Sequence, residues 1–443
     1  MGTTFRPFQP NQTHLLPPAP VDWLPEGHLA FFIADTVSQL DLSAFYRPYR
    51  TDGRRNRPFD PRMMVQVLLY AYANGVFSSR RIAAKLHEDI AFRYLAAENF
   101  PKHRTISDFR LRHLEEFEAL FTQTVRIAQQ AGLVKMGTIA IDGSKVKANA
   151  TKHKAMSYGR MVEQEKRLQE EIRELTDRAS RMDQEEDEQF GPDDAGGGIP
   201  EELHRRETRL ERIREAKDRL EGEERELDRQ KGRHENDDRK TPPGRGGRYK
   251  RDFGVPEEKK QTNFTDPESR IMKDSRGFEQ CYNTQIAVDE ETQIIVGQGV
   301  SQIAADACEL LPMLEEAERV TGAAPRQVLA DAGYKSEENF QQLADRGIEA
   351  LVALGRERKV AEGISPEQTA TRAMAERLST EEGRRTYRKR KHIVEPVFGW
   401  IKARMGLGSF SLRGLRKARG EWSLVTLACN IRRLSRLMAA FQT

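Results

Sequence analysis

Three acidic residues stand out for where they fall in the chain. Asp142 follows the apolar run Thr138-Ile139-Ala140-Ile141. Asp331 ends the short run Gln327-Val328-Leu329-Ala330, and Glu395 lies in a basic stretch immediately before Pro396. Carboxylates are the usual protein ligands of hard divalent cations such as magnesium. Two such ions about 3.5–4 Å apart can activate an attacking oxygen and stabilise a leaving one in a displacement at phosphorus. That chemistry requires neither thiolate nor imidazole. It suits a chain whose three cysteines, Cys281, Cys308 and Cys429, and nine histidines are scattered. Each carboxylate also has a plainer reading. Asp142-Gly143 is a common turn dipeptide, and Asp331 could end a strand or cap a helix. Glu395 could sit at a helix N-terminus, where negative charge is favoured. A residue before proline resists the helical conformation, so the helix either starts at Pro396 or is kinked there. Asp306, in the run Ile303-Ala304-Ala305-Asp306, reads as a helix cap. Together, two strand-end aspartates and a glutamate on a basic helix converge naturally on one site of a mixed sheet, at the edge where open α/β sheets place their ligands.

Elements to carry these residues are legible on both sides. Residues 1–20 form a proline-containing, flexible lead, and residues 21–135 read as helical. Asp60-Pro61 supplies a cap and a first-turn proline. The following Met63–Phe77 run is apolar almost all round, which predicts a buried helix. Thr105 and Asp108 have the capping-box spacing that would open another helix. Residues 136–154 hold the first strand, ending at Asp142 in a polar turn. Residues 155–250 form an insertion. Met161, Leu168, Leu175 and Met182 recur every seven residues, as do Leu203 and Leu210, then Ile213, Leu220 and Leu227. The Gly/Pro break between them predicts a coiled-coil hairpin, followed by a mobile, basic loop. Residues 251–443 continue with two antiparallel strands, helix, strand, helix, strand and a basic helical end. Gly347 is placed to close the second of these helices.

Charged residues make up 32% of the chain, against an average of about a quarter. They are unevenly spread. Residues 384–443 hold fifteen Lys/Arg and two Asp/Glu, whereas residues 161–231 hold fifteen Lys/Arg and twenty-four Asp/Glu. A basic end implies a polyanionic partner. The acidic insertion is not expected to lie along such a partner; self-pairing is its first expected role and dimer contact its second. No run of eighteen apolar residues is present, so no membrane span is expected. The N-terminus lacks the apolar core of a secretory signal. Few, unpatterned cysteines exclude a zinc module and fit a reducing compartment. Trp400 and Trp422 could stack on bases, but core packing is expected of both. Arg80, Arg81, Arg104, Arg110 and Arg112 in the N-terminal helices could grip DNA, with no spacing that fits one standard motif.

Three segments resemble the DDE transposases of bacterial insertion sequences: Thr138–Asn149, Gln327–Asn339 and Tyr387–Lys402. The last carries the family's order of a basic residue, three spacers, Glu, six spacers and Lys, here Lys391, Glu395 and Lys402. The usual Arg is a Lys, and the usual Tyr position holds Arg388, with Tyr387 one place away. The Thr105–Arg110 segment resembles the family's helical N-terminal domain, and the tail from Phe410 to Leu434 resembles its C-terminal end. The resemblance implies an RNase H-like α/β catalytic domain and an enzyme that cleaves DNA at the ends of an insertion sequence and joins the freed 3′-hydroxyl to target DNA. It implies Asp142, Asp331 and Glu395 as catalytic and metal-holding residues. The cofactor would be two Mg²⁺ ions, with Mn²⁺ as a substitute. Lys402, Lys391, Tyr387, Arg390 and Lys145 would contact DNA. The implied partners are double-stranded DNA, both terminal inverted repeats and target, and a second copy of the chain in a homodimer or larger complex. The expected location is the bacterial cytoplasm, on the nucleoid when bound. Two other readings remain open: a non-catalytic, domesticated DNA-binding relative, and a structure-specific nuclease of the same fold.

Overall fold

A computed structural model describes residues 19–49, 57–190, 201–235, 251–274, 277–355 and 364–442. The flexible lead up to residue 18, the Gly/Pro break at 191–200 and the basic loop at 236–250 lie outside the described residues. The N-terminal part is helical, as expected: α1 (Leu29–Gln39), α2 (Ser43–Tyr46), α3 (Pro61–Ala73), α4 (Ser79–Glu88), α5 (Ile90–Leu95), α6 (His103–Arg112) and α7 (Leu114–Gln130). Asp60 caps α3 by accepting from the Arg62 N–H at 2.7 Å. Every α3 residue from Leu68 to Ala73 is buried, as an all-round apolar helix requires. The expected start of α6 is corrected. The helix opens after Lys102, so Thr105 and Asp108 lie within it rather than forming a capping box.

The chain then enters β1 (Thr138–Lys147), which runs five residues past Asp142 instead of turning there. A short β2 (Ala155–Ser157) leads into α8 (Tyr158–Phe190), and α9 (Glu201–Gln230) returns to β3 (Gln261–Asn263), which pairs with β2. Next come β4 (Arg270–Asp274), β5 (Gly277–Asp289), β6 (Ile295–Ser301), α10 (Leu310–Thr321) and β7 (Gln327–Ala330). The chain ends with α11 (Glu337–Asp345), β8 (Glu349–Val352), α12 (Thr369–Ser379), α13 (Glu381–Gly399) and α14 (Leu415–Gln442). The sheet is mixed. β5 is antiparallel to β1, β4 and β6, while β7 is parallel to both β1 and β8. The order β6-β5-β1-β7-β8, with β4 beside the first part of β5, is consistent with an RNase H-like sheet. Strands β2, β3 and β4 had no clear sequence signal. They are short, and three of the five residues of β4 (Arg-Ile-Met-Lys-Asp) are charged.

Helices α8 and α9 run antiparallel. Glu165 of α8 meets Arg214 and Lys217 of α9, each at 2.9 Å, and Glu171 meets Arg206 at 2.9 Å. Met161 and Leu168 pack against Leu210, Ile213 and Leu220 in a core of their own. The seven-residue pattern lapses at Leu227, which is 42% exposed. The base of the pair is fixed by charge. The fully buried Asp228 accepts from Arg233 at 3.1 Å and from both terminal nitrogens of Arg251, and Lys260 reaches Glu224 at 2.6 Å.

One apolar core joins the N-terminal helices to the sheet. α14 makes the connection by packing against α3, α7 and β6. Its polar residues are bonded into the strands it covers. Asn430 accepts from the Ile295 N–H at 2.9 Å and donates to the Ile295 carbonyl at 2.8 Å, and the buried Trp422 donates to the Gln285 carbonyl at 3.2 Å. The close approach of α14 to α7 depends on Gly420, where a Cβ atom would lie 2.5 Å from Leu114 Cβ. Gly420→Val is expected to lower stability by about 2 kcal/mol or more, within the overpacking range. Denaturant unfolding reads this, and an unchanged midpoint would contradict the packing described.

Candidate active site

The parallel pairing of β1 with β7 ends at Ile141 opposite Ala330. The next residues, Asp142 and Asp331, are therefore neighbours across strands that lie about 4.8 Å apart. Asp331 leaves the strand to cap a 3₁₀ turn, accepting from the Gly333 N–H at 2.8 Å. Asp142 stays within the sheet opposite Ile286 of β5. The turn reading of Asp142-Gly143 is thus excluded. Gly143 serves clearance instead: a Cβ there would collide with the Gln285 side-chain amide and stand 3.0 Å from an oxygen of Asp306.

Burial pushes the Asp142 carboxyl up to about 6, and the nearby Asp331 adds to the rise. Arg390 of α13 and the Gly143 N–H oppose it. The Arg390 guanidinium donates to Asp142 Oδ2 at 3.3 Å, with only 11% of the arginine side chain exposed and 18% of the aspartate's. Burial raises the Tyr387 hydroxyl, one helical turn earlier, above its ordinary range, and the charge of Arg390 opposes that rise. The buried cation beside Asp142 is therefore Arg390. Lys391 is exposed on the other side of the helix. The three-residue Tyr387–Arg390 interval was the available signal, since it places both residues on one helical face.

Asp306 does not act as a cap: the 3₁₀ turn that it begins is capped by no side chain. Its Oδ1 accepts from Lys145 at 2.9 Å, Asn283 at 2.8 Å and Gln285 at 3.0 Å. Gln285 in turn accepts from the buried Tyr334 hydroxyl. Burial, then the charges of Asp306, Asp142 and Asp331, hold the Tyr334 hydroxyl well above its ordinary range. A third carboxylate with its own amide-and-ammonium cradle thus borders the first two. Sequence reasoning passed over it because its partners sit on β1 and β5, far away along the chain. The signal available was Asn283 and Gln285 alternating on β5, two amides on one face of a buried strand.

α13 packs across β1, β5, β7 and β8 and brings Arg390 to this edge, while the segment that follows it brings Lys402 to Ser144. The helix continues through Pro396, so it neither starts nor breaks there. Proline removes the N–H that would bond the His392 carbonyl, and the Gln293 side-chain amide occupies that carbonyl at 2.8 Å. From Trp400 to Arg404 the winding becomes π-helical, so Glu395 and Lys402 do not share one uninterrupted α-helical face. Lys402 is exposed and donates to the Ser144 hydroxyl, two residues beyond Asp142. Glu395 is exposed, and among the described residues no hydrogen bond or ion pair ties it to either aspartate. Asp142 and Asp331 are brought together; Glu395 stands on the neighbouring helix. Among the described residues no three acidic, His or Cys side chains converge into a complete metal cage. Trp422 lies in the core, as expected. Trp400 is half-buried between Arg432 and Arg436, whose guanidinium carbons lie 5.0 and 4.5 Å from its ring centre. No described helix is long and apolar enough to cross a membrane.

Residues 251–431 match the family model described as a transposase DDE domain, and residues 20–112 match that of a transposase domain, DUF772. The first span contains Asp331, Glu395, Lys402 and the Tyr387–Lys391 segment. Asp142, Lys145 and the α8–α9 pair fall between the two spans. Neither the curated proteins nor the solved structures give a match.

The Arg390–Asp142 pair gives a direct test of this geometry. Arg390→Ala leaves a desolvated carboxylate beside a second one. It should cost roughly 2–3 kcal/mol, below the ~3–5 of a fully buried pair. Lys391→Ala, one residue on but exposed, should change stability by less than about 0.5 kcal/mol. Equal effects of the two substitutions on chemical denaturation would refute the assignment of Arg390.

Proposed function

The two domain matches support an insertion-sequence DDE transposase, and from that premise we propose that the Asp142–Asp331 edge is where DNA is cut and rejoined. The observation that carries the proposal is the register that sets these carboxylates side by side. Their donor set is all oxygen and partly open to solvent, the kind preferred by magnesium, which uses one or two protein carboxylates and completes its shell with water and phosphate. Asp142 and Asp331 would hold the ions, two Mg²⁺ or in their place Mn²⁺, with Glu395 joining from α13. When bound, such ions make water a stronger nucleophile and neutralise charge on the phosphate.

The chain's own residues do the positioning. Arg390 holds the Asp142 carboxylate in place, with Tyr387 one turn earlier on the same helical face. Lys145 and the two β5 amides hold Asp306 against the same edge. These residues act through the carboxylates, and we assign direct DNA contact to the exposed Lys402 and Lys391. Lys402, beside Ser144, is within reach of a phosphate lying over β1. In the first step water adds to phosphorus at the element's end, and the 3′-oxygen leaves with a proton. In the second, that 3′-hydroxyl adds to a target phosphate and gives up its proton to solvent, while the target strand's own 3′-oxygen leaves and takes up a proton. Positioning and charge neutralisation supply most of the acceleration in such displacements. Handling two ends calls for at least two copies of the chain, a dimer or larger assembly on DNA.

Plasmid substrates carrying the flanking inverted repeats test this reading. Asp142→Asn and Asp331→Asn should each reduce Mg²⁺-dependent cleavage and strand transfer by on the order of 10²–10³-fold or more, with binding to the repeat ends retained. Undiminished cleavage by either variant would sink the site assignment. Cleavage by the parent without any joined product would mark a nuclease instead.

A further inference from the structure

The α8–α9 insertion is acidic as a whole, yet its charges are sorted by face. On α9, Arg206, Arg214 and Lys217 are all engaged by glutamates of α8. Arg209, Arg212 and Arg219 are different. They are exposed, and among the described residues none makes an ion pair or a hydrogen bond. Their spacing of three and seven residues puts them on one side of the helix. They border an open cleft of about 810 Å³ between α9, the start of α8 and the loop after β3. Arg160 of α8, Lys154 before β2 and Arg413 before α14 line the same cleft, against a single carboxylate, Glu215. Its floor includes Ile213, Ala216 and Phe264, apolar surface along which arginine stems can lie with their heads in water. Arg160 and Arg209 also border a second cleft of about 580 Å³ farther out along the helices, so the basic surface is an extended groove.

We propose that this groove binds the phosphate backbone of double-stranded DNA, making the insertion a second DNA-holding surface apart from the candidate active site. The inference rests on the reading that the chain acts on DNA. Three features favour a nucleic-acid backbone over an acidic protein segment. The cations are mainly guanidiniums, whose planar forks suit phosphate oxygens. The ten residue steps from Arg209 to Arg219 span about 15 Å of helix, a length matched by several successive phosphates, since duplex carries one charge per ~1.7 Å. Lys154 is twelve residues from Asp142, at most about 40 Å of chain, whereas one turn of duplex is about 34–36 Å. Duplex with a phosphate at the Asp142–Asp331 edge thus reaches the groove within about one turn. Backbone contacts of this kind hold and orient DNA without reading sequence.

The test compares two triple variants of the full chain, equal in net charge. Arg209→Ala/Arg212→Ala/Arg219→Ala removes the unpaired groove cations. Arg214→Ala/Arg225→Ala/Arg229→Ala removes exposed arginines of α9 that line neither cleft and are paired with Glu165, Glu221 and Glu226. Binding to a duplex carrying the repeat end and to an unrelated duplex is measured by fluorescence anisotropy across a salt series, with thermal melting to verify folding. The groove variant should lose about three units of slope in log K against log salt, one per phosphate contact. The loss should be the same for both duplexes, and the paired-face variant should keep the parent slope. A parent that binds with an unchanged slope in the groove variant overturns the inference alone. So does an equal loss in both variants, which would mean a diffuse charge effect. The inference also fails if poly-glutamate binding falls in the groove variant while duplex binding does not, which would assign the groove to an acidic protein. A parent that binds neither duplex at any salt concentration overturns the DNA reading as well.

Discussion

The structure turns on keeping two carboxylates adjacent in a partly dry place. In-register parallel strands put Asp142 and Asp331 next to each other. Burial, with the charge of Asp331 adding to it, holds the Asp142 carboxyl well above the ordinary aspartate range. A folded protein tolerates this only where a compensating charge is fixed nearby. Arg390 is that charge, and it cannot be fixed unless α13 crosses the sheet at the right level. The demands of one carboxylate pair therefore extend to the helix that crosses the strands. They extend also to Gln293, which satisfies the carbonyl orphaned by Pro396.

α14 supplies rigidity from elsewhere. Its buried side chains bond to the backbone of β5 and β6, and its other contacts are with α3 and α7. A bond from Trp422 to the carbonyl of Gln285 fixes the same residue whose amide holds Asp306. The path from the N-terminal helices to the acidic edge is thus one of direct contacts: α7 against Gly420, Trp422 against Gln285, and Gln285 against Asp306. The N-terminal helices share the apolar core of the sheet, so they are held as part of one body with the edge.

Periodicity and composition made the helices α3, α8 and α9, the β5–β6 hairpin and the strand before Asp331 legible, because each owes its form to local apolar patterning. What escaped was set by distant partners. Asp142-Gly143 has turn composition but lies in a strand, because β5 pairs with it and Gln285 leaves no room for a Cβ. Thr105 and Asp108 have the spacing of a cap, but the helix gains nearly another turn by starting after Lys102. Counting back from Glu395 pointed to Lys391, whereas the helix faces Arg390 toward Asp142. Asp306 looked like a cap because its three donors are separated from it by 21 to 161 residues. The candidate site was legible in its two aspartates and opaque in what steadies them.

The insertion shows the same limit for charge. A surplus of nine acids over residues 161–231 argues against contact with a polyanion when averaged along the chain. Averaging is the wrong operation for a two-helix element. Glu165 and Glu171 are engaged across the α8–α9 seam, whereas along the cleft beside α9 the cations Arg209, Arg212 and Arg219 are unpaired among the described residues. Segregation of this kind lets one element be stable and basic on one side while acidic overall. The base of the pair is locked by the buried Asp228 cluster. A surface that must hold a long, stiff ligand at a set distance from a reacting phosphate is useful only if its own attachment does not swing.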